Sequence, residues 1–109
     1  MPLFKPLDIP QIELIPGYHV RFVHSDKMTV ANWQIEQDAA LPEHSHPHEQ
    51  ILNLISGEFD LSVDGRVYHL TAGDAFVLPS GVPHGGKAIT PCNIIDVFHP
   101  VREDYRDKT

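Results

Sequence analysis

Residues Glu58–Leu70 read EFDLSVDGRVYHL. From Glu58 to Val63 polar and apolar side chains alternate strictly, the period of a strand with one buried face. Arg66-Val67-Tyr68-His69-Leu70 forms a second run, and Asp64-Gly65 stands between the two. An Asp-Gly pair flanked by alternating runs predicts a β-hairpin, because a type I′ turn needs positive φ at both central residues. Working outward, short runs at Tyr18–Val23, Met28–Gln37, Gln50–Ile55, Ala75–Leu78 and Cys92–Phe98 also read as strands. Turn residues at Ser56-Gly57, Ala72-Gly73-Asp74, Ser80-Gly81-Val82-Pro83 and Gly85-Gly86 punctuate them. No window keeps a helical apolar period over three turns, so the expected fold is all-β, a closed barrel or a sandwich.

A chain of 109 residues is expected to be one domain with a real core. Fifteen acidic residues against eight Lys and Arg leave a net charge of -7, which argues against a phosphate-tracking nucleic-acid binder or a binder of anionic membranes. Cys92 is the single cysteine, which rules out an intrachain disulfide and a multi-cysteine zinc finger. A metal would have to be held by His and oxygen donors. Prolines at 2, 6, 10 and 16 break the N-terminal stretch, which lacks the apolar run of a signal peptide or membrane span. The expected location is the cytoplasm. Residues 1–17 are expected to form an extended Pro-rich arm suited to edge pairing, residues 18–102 the barrel, and residues 103–109 a charged tail that frays.

Residues Leu41–Gln50, LPEHSHPHEQ, hold three histidines, two glutamates and a glutamine. In a continuous strand His44, His46, His48 and Gln50 would share one face, and imidazoles suit divalent transition metals. Pro47 removes a ladder donor and favours a bulge or an edge, which leaves the direction of His48 open. A further donor, His84, lies in GDAFVLPSGVPHGG, on a different strand, the separation a barrel needs to surround one ion.

These two segments resemble the two motifs of the cupin superfamily, small jelly-roll β-barrels with a metal in the mouth. The first, G-x5-H-x-H-x3/4-E-x6-G, falls on Asp38, His44, His46, Gln50 and Gly57; the second, G-x5-P-x-G-x2-H-x3-N, falls on Gly73, Pro79, Gly81, His84 and Ala88. The resemblance implies a metal held by His44, His46, Gln50 and His84, with Mn, Ni, Fe and Zn all admissible. It places His48 beside the site. Asp38 and Ala88 depart from the pattern only in turn geometry. Gln50 in place of the usual glutamate changes the chemistry, because an amide carbonyl cancels none of the metal's charge and leaves a stronger Lewis acid that favours anions.

The final strand, CNIIDVFH, continues into PVRED and puts Asp96 among apolar neighbours. Facing inward, its carboxylate must be paired or functional. One reading is a buried Asp96–Arg102 pair that pins the chain end. The other comes from resemblance: HSHPHEQ followed by DVFHPVRED is similar to the pectin-degradation cupins, which convert 4,5-unsaturated monouronates into linear keto acids. That resemblance implies catalytic roles for Asp96, Phe98 and Arg102, a small anionic sugar acid as substrate, and a homodimer. His99 stands where that family often has a small polar residue. The alternatives are a cupin dioxygenase, which needs a redox-active metal, and a non-enzymatic sensor or sugar-binding module.

Overall fold

Asp64 and Gly65 have φ of 49° and 82° in the computed structural model, which describes residues 2–108. Both are in the left-handed region that a type I′ hairpin demands. The turn joins β6 (Glu58–Val63) to β7 (Arg66–Thr71), with Val63 opposite Arg66 and Phe59 opposite Leu70. Phe59, Leu61 and Leu70 are buried, the inward set that the alternation specifies.

The other strands are β1 (Ile12–Ile15), β2 (Tyr18–His24), β3 (Thr29–Ile35), β4 (Ala40–His44), β5 (Glu49–Ser56), β8 (Ala75–Leu78), β9 (His84–Ala88) and β10 (Cys92–His99). They form two antiparallel sheets, one of six strands in the order β1-β2-β3-β10-β5-β8 and one of four in the order β4-β9-β6-β7. The result is an all-β jelly roll whose inner faces enclose the core. Among the described residues, no helix is long and apolar enough to cross a membrane.

The alternating runs predict most of the strands to within a residue or two. β1, β4 and β9 escape that reading. β1 lies between Pro10 and Pro16, β4 contains Pro42, and β9 reads HGGKA, a sequence of low strand propensity. Its glycines are there for proximity rather than propensity. A Cβ on Gly85 would stand 2.7 Å from the Leu41 carbonyl oxygen, and one on Gly86 would stand 2.6 Å from that of Asp60 and 2.5 Å from the Phe59 ring. Two bare backbones therefore let β9 pack between β4 and β6.

Gly57 combines positive φ, 93°, with a Cβ direction blocked by the Pro91 carbonyl and the Cys92 sulfur. Gly57→Ala is expected to cost about 2 kcal/mol or more. Urea denaturation checks this, with the midpoint falling. Asp38, where the motif has glycine, also has positive φ, 67°, so the backbone keeps the turn that the glycine would have made.

Both termini fold onto the barrel. The Pro-rich segment makes a short 3-10 turn at Pro6–Asp8, and β1 then pairs with β2 of its own chain. At the other end the charged tail begins with a helical element, and Asp107 and Lys108 beyond it are exposed. Glu103–Arg106 forms one helical turn (α1), and the Tyr105 ring stacks on Phe22 at 4.7 Å. A single aromatic among charged residues supplies the anchor that composition concealed. Met1 of the arm and Thr109 of the tail lie outside the described residues.

Candidate metal centre

His44 ends β4 and His84 begins β9, and the register puts them directly opposite one another. A register shift between Leu41 and His44 makes this possible, at the point where Gly85 leaves room. His46 lies in the loop between β4 and β5. The continuous strand in which His44, His46, His48 and Gln50 would share one face does not form: residues 45–48 are not strand, and the break falls at Pro47, which has no ladder donor. Tertiary hydrogen bonds aim His46 instead: Gly81 N–H donates to the His46 carbonyl at 2.8 Å and the Ser80 hydroxyl to the Pro47 carbonyl at 2.6 Å. Gln50 points inward from β5, opposite Phe98 of β10.

The three imidazoles converge, with ring centroids 4.4 Å (His44–His84), 4.9 Å (His46–His84) and 5.8 Å (His44–His46) apart. One ring nitrogen from each falls within 4.8 Å of the others. Each Nδ1 is bonded to a backbone carbonyl, His44 to Pro42 at 2.9 Å, His46 to His48 at 3.1 Å and His84 to Val82 at 2.9 Å. A carbonyl oxygen can only accept, so each Nδ1 carries the hydrogen and each neutral ring presents a bare Nε2 lone pair. Burial, with the positive charge of Arg102 behind it, pushes His46 down to about 4, and burial also lowers His84. Neutral imidazole is the ligand form.

Gln50 Oε1 stands 3.1 Å from His46 Nε2. These are two acceptors facing one another, an arrangement that a cation between them relieves. Two ligands at right angles, each about 2.1 Å from one ion, stand about 3 Å apart. The residues thus fit a divalent transition metal held by His44, His46, His84 and Gln50. His48 contributes its carbonyl, while its own Nδ1 is buried without a hydrogen-bond partner among the described residues. His99 is exposed at the end of β10, on the outward parity.

Two further groups line the same cavity, which encloses about 290 Å³. Asp96, 7 % exposed, accepts the Trp33 indole N–H at 3.0 Å on Oδ2, while Oδ1 has no hydrogen-bond partner among the described residues. Burial pushes its carboxyl up to about 7, against the opposing pull of Gln50, Trp33 and Arg102. Arg102 is equally buried, its Cζ 3.8 Å from the Tyr105 ring centroid and 4.7 Å from that of Phe98. The anticipated Asp96–Arg102 pair does not form. Arg102 Nε and Nη2 donate to Asp104 at 3.0 and 2.7 Å, because the helical turn after Arg102 swings that carboxylate back over the guanidinium. Nη1 is the nitrogen not committed to Asp104. The Thr29 hydroxyl accepts the Arg102 backbone N–H at 2.9 Å and pins the segment to β3.

Trp33, Asp104 and Tyr105 are the site residues that the motifs do not mark. Only Tyr105 left a trace, as an aromatic in a charged tail.

Comparison with known proteins agrees with this fold. KdgF from Halomonas sp. is similar in structure, 28% identical with a TM-score of 0.90 over 96% of this chain and 98% of that one. An RmlC-like cupin from Shewanella frigidimarina is 29% identical with a TM-score of 0.88 over 94% and 93%. Among curated sequences, an acireductone dioxygenase from Gluconacetobacter diazotrophicus is 44% identical over 52 residues, 44% of this chain, and the match spans only 29% of that protein. The sequence pattern described as the cupin domain matches residues 31–98, the stretch that contributes all three imidazoles, Gln50 and Asp96, and on that match this chain belongs to the cupin family.

Proposed function

We propose that this protein opens 4,5-unsaturated monouronates, or a closely similar small sugar acid, to linear keto acids at a divalent-metal site. The observation that carries this reading is the placement of a four-donor set, an unpartnered carboxyl oxygen and a buried guanidinium on the wall of one cavity. The likeness of the whole chain to KdgF and the similarity of the C-terminal segment to pectin-degradation cupins support it.

The metal, held by His44, His46, His84 and Gln50, supplies a Lewis acid whose double charge the neutral ligands leave uncancelled. Arg102 holds the substrate carboxylate through the edge that includes Nη1, with Asp104 fixing the plane of the fork. The hemiacetal hydroxyl loses its proton as the ring C–O bond breaks, which leaves an aldehyde and an enolate. The enolate gains a proton on carbon and becomes a ketone. The conversion is an isomerisation and needs no oxidant. Asp96 Oδ1 is the atom placed to carry the proton, since Oδ2 is occupied by Trp33. Phe98, stacked under Arg102, closes the wall.

The test is to incubate metal-loaded protein with pectate-lyase and alginate-lyase digests and follow the absorbance of the conjugated double bond. It should fall well above a protein-free control. An unchanged absorbance with dioxygen uptake would point to the dioxygenase reading, and tight binding without product to a sensor. Gln50→Glu bears on the ligand chemistry: an added negative charge should tighten metal binding and weaken substrate binding, each roughly tenfold. Chelator competition and KM report the two effects.

The same reading includes a homodimer. Val77, Ile51, Val97, Val30 and Val23 lie side by side across β8, β5, β10, β3 and β2 on the outer face of the large sheet. Ile51 and Val77 are 40% and 58% exposed. The adjoining row, Ala75, Asn53, Ile95, Asn32 and Arg21, adds no carboxylate to a face of an acidic chain. Its asparagines are already bonded within the sheet, Asn53 to the Ile95 carbonyl and Asn32 to Asn93. A second copy can cover these two rows, with Glu49 and His99 of the row beyond them left at the rim. Sedimentation should show a dimer that Ile51→Lys converts to monomer with metal content intact, and a monomeric native protein would refute it.

A further inference from the structure

The cavity has two unlike halves. Its mouth carries the imidazoles, Gln50, Asp96 and Arg102. Its inner half is walled by Leu14 and Ile15 of β1, Leu41 of β4, Trp33 and Ile35 of β3 and Ile94 of β10. β1 and β4 are edge strands of different sheets with no hydrogen-bonded pairing between them, and apolar side chains of both line the cavity. Protein interiors are close-packed, and an apolar space left open inside one stays dry and takes up apolar groups in preference to water.

A sugar ring has little use for this half. Its hydroxyls need partners, and the two side-chain donors of Trp33 and Tyr18 on this lining are committed, the Trp33 indole N–H to Asp96 at 3.0 Å and the Tyr18 hydroxyl hydrogen to the Ala39 carbonyl at 3.2 Å. We propose that the inner chamber binds the apolar substituent of a small carboxylic acid whose carboxylate is held at the mouth by Arg102 and the imidazole cluster. The ligand class is an alkyl or arylalkyl carboxylate. It shares the anion-binding mouth with the uronate reading but does not depend on uronate turnover. Each methylene that enters the chamber leaves water, which is worth about a fourfold gain in affinity.

Trp33 is the single tryptophan of the chain, so its emission reports on the chamber. The experiment titrates the metal-loaded full chain calorimetrically with acetate, butanoate, hexanoate and octanoate and records Trp33 fluorescence alongside. Affinity should rise about fourfold per methylene, then level off once the chamber is full, with a change in the intensity of the Trp33 emission. Leu41→Phe should bring the plateau to shorter acids while acetate binds as before; if that variant does not fold, the native series decides alone. Equal affinity for acetate and hexanoate overturns the proposal. So does a rise that continues without a plateau, or an emission that does not change, since both mark binding at the surface. A rising series without turnover of unsaturated uronates would sink the enzymatic reading and leave this one, and turnover with a flat series would do the reverse.

Discussion

His84→Ala is expected to lose bound metal on dialysis and, with it, all turnover above background. His84 reaches the cluster from β9, whereas His44 and His46 come from β4 and the loop that follows it, so its removal takes away one of the three imidazoles that would hold the ion. Loss of a group that merely orients a ligand typically costs about 10–100-fold in metal affinity. Loss of a ligand should exceed that. Stability gives a second readout, because metal that binds only the folded chain adds about 4 kcal/mol when its free concentration is a thousandfold above Kd. The native protein should therefore melt higher with metal than with chelator, and the variant should melt alike in both. Metal analysis after dialysis and paired melting curves decide it. Native affinity in His84→Ala would remove the centre from its proposed place.

Asp96→Asn should separate the two roles of that carboxyl. With metal content unchanged, kcat should fall by about 10²–10⁴, the usual worth of a positioned proton carrier. The metal-free variant should meanwhile be more stable than native at alkaline pH. Burial raises the Asp96 carboxyl from an ordinary 3.8 to about 7. Below the lower value both folded and unfolded chains hold the proton and the side chain has no effect on the balance. Between the two values the unfolded chain releases a proton that the folded chain keeps, so stability falls as pH rises; above about 7 the full penalty stands, on the order of 4 kcal/mol. Asparagine has no such penalty. The stability difference between variant and native, read from urea unfolding of the metal-free proteins, should grow from about pH 4 to about pH 8. A difference that does not change with pH would mean that Asp96 is not a buried acid held away from its charge.

Much of this centre was legible in the residues. His44, His46 and His84 are ligand types at spacings shared with a known barrel, and the structure brings their rings together. The reason they meet is not the one that local pattern suggests. His46 leaves the strand, and the turn between β8 and β9, the pairing neighbours of β5 and β4, holds its loop through Gly81 and Ser80. Arg102 was recognisable as a buried cation, yet its partner is Asp104 rather than Asp96. Choosing between those carboxylates depends on a helical turn that the charged tail does not advertise.

Alternation with period two and an Asp-Gly pair were enough to establish the β-hairpin, the inward faces of most strands and the all-β class, because each depends on neighbours a few residues apart. The donor types that His44, His46, His84 and Gln50 can offer were likewise set by residue identity. Only the folded chain decided which nitrogen each imidazole offers, since that follows from the carbonyl that faces the other nitrogen. The register shift opposite Gly85, the pairing of Arg102 and the apolar chamber under β1 and β4 belong with it. The register shift and the chamber are set by distances between segments far apart in the chain, which the packing of two sheets fixes, whereas the imidazole and Arg102 bonds join residues two apart whose backbone conformation is fixed only in the fold.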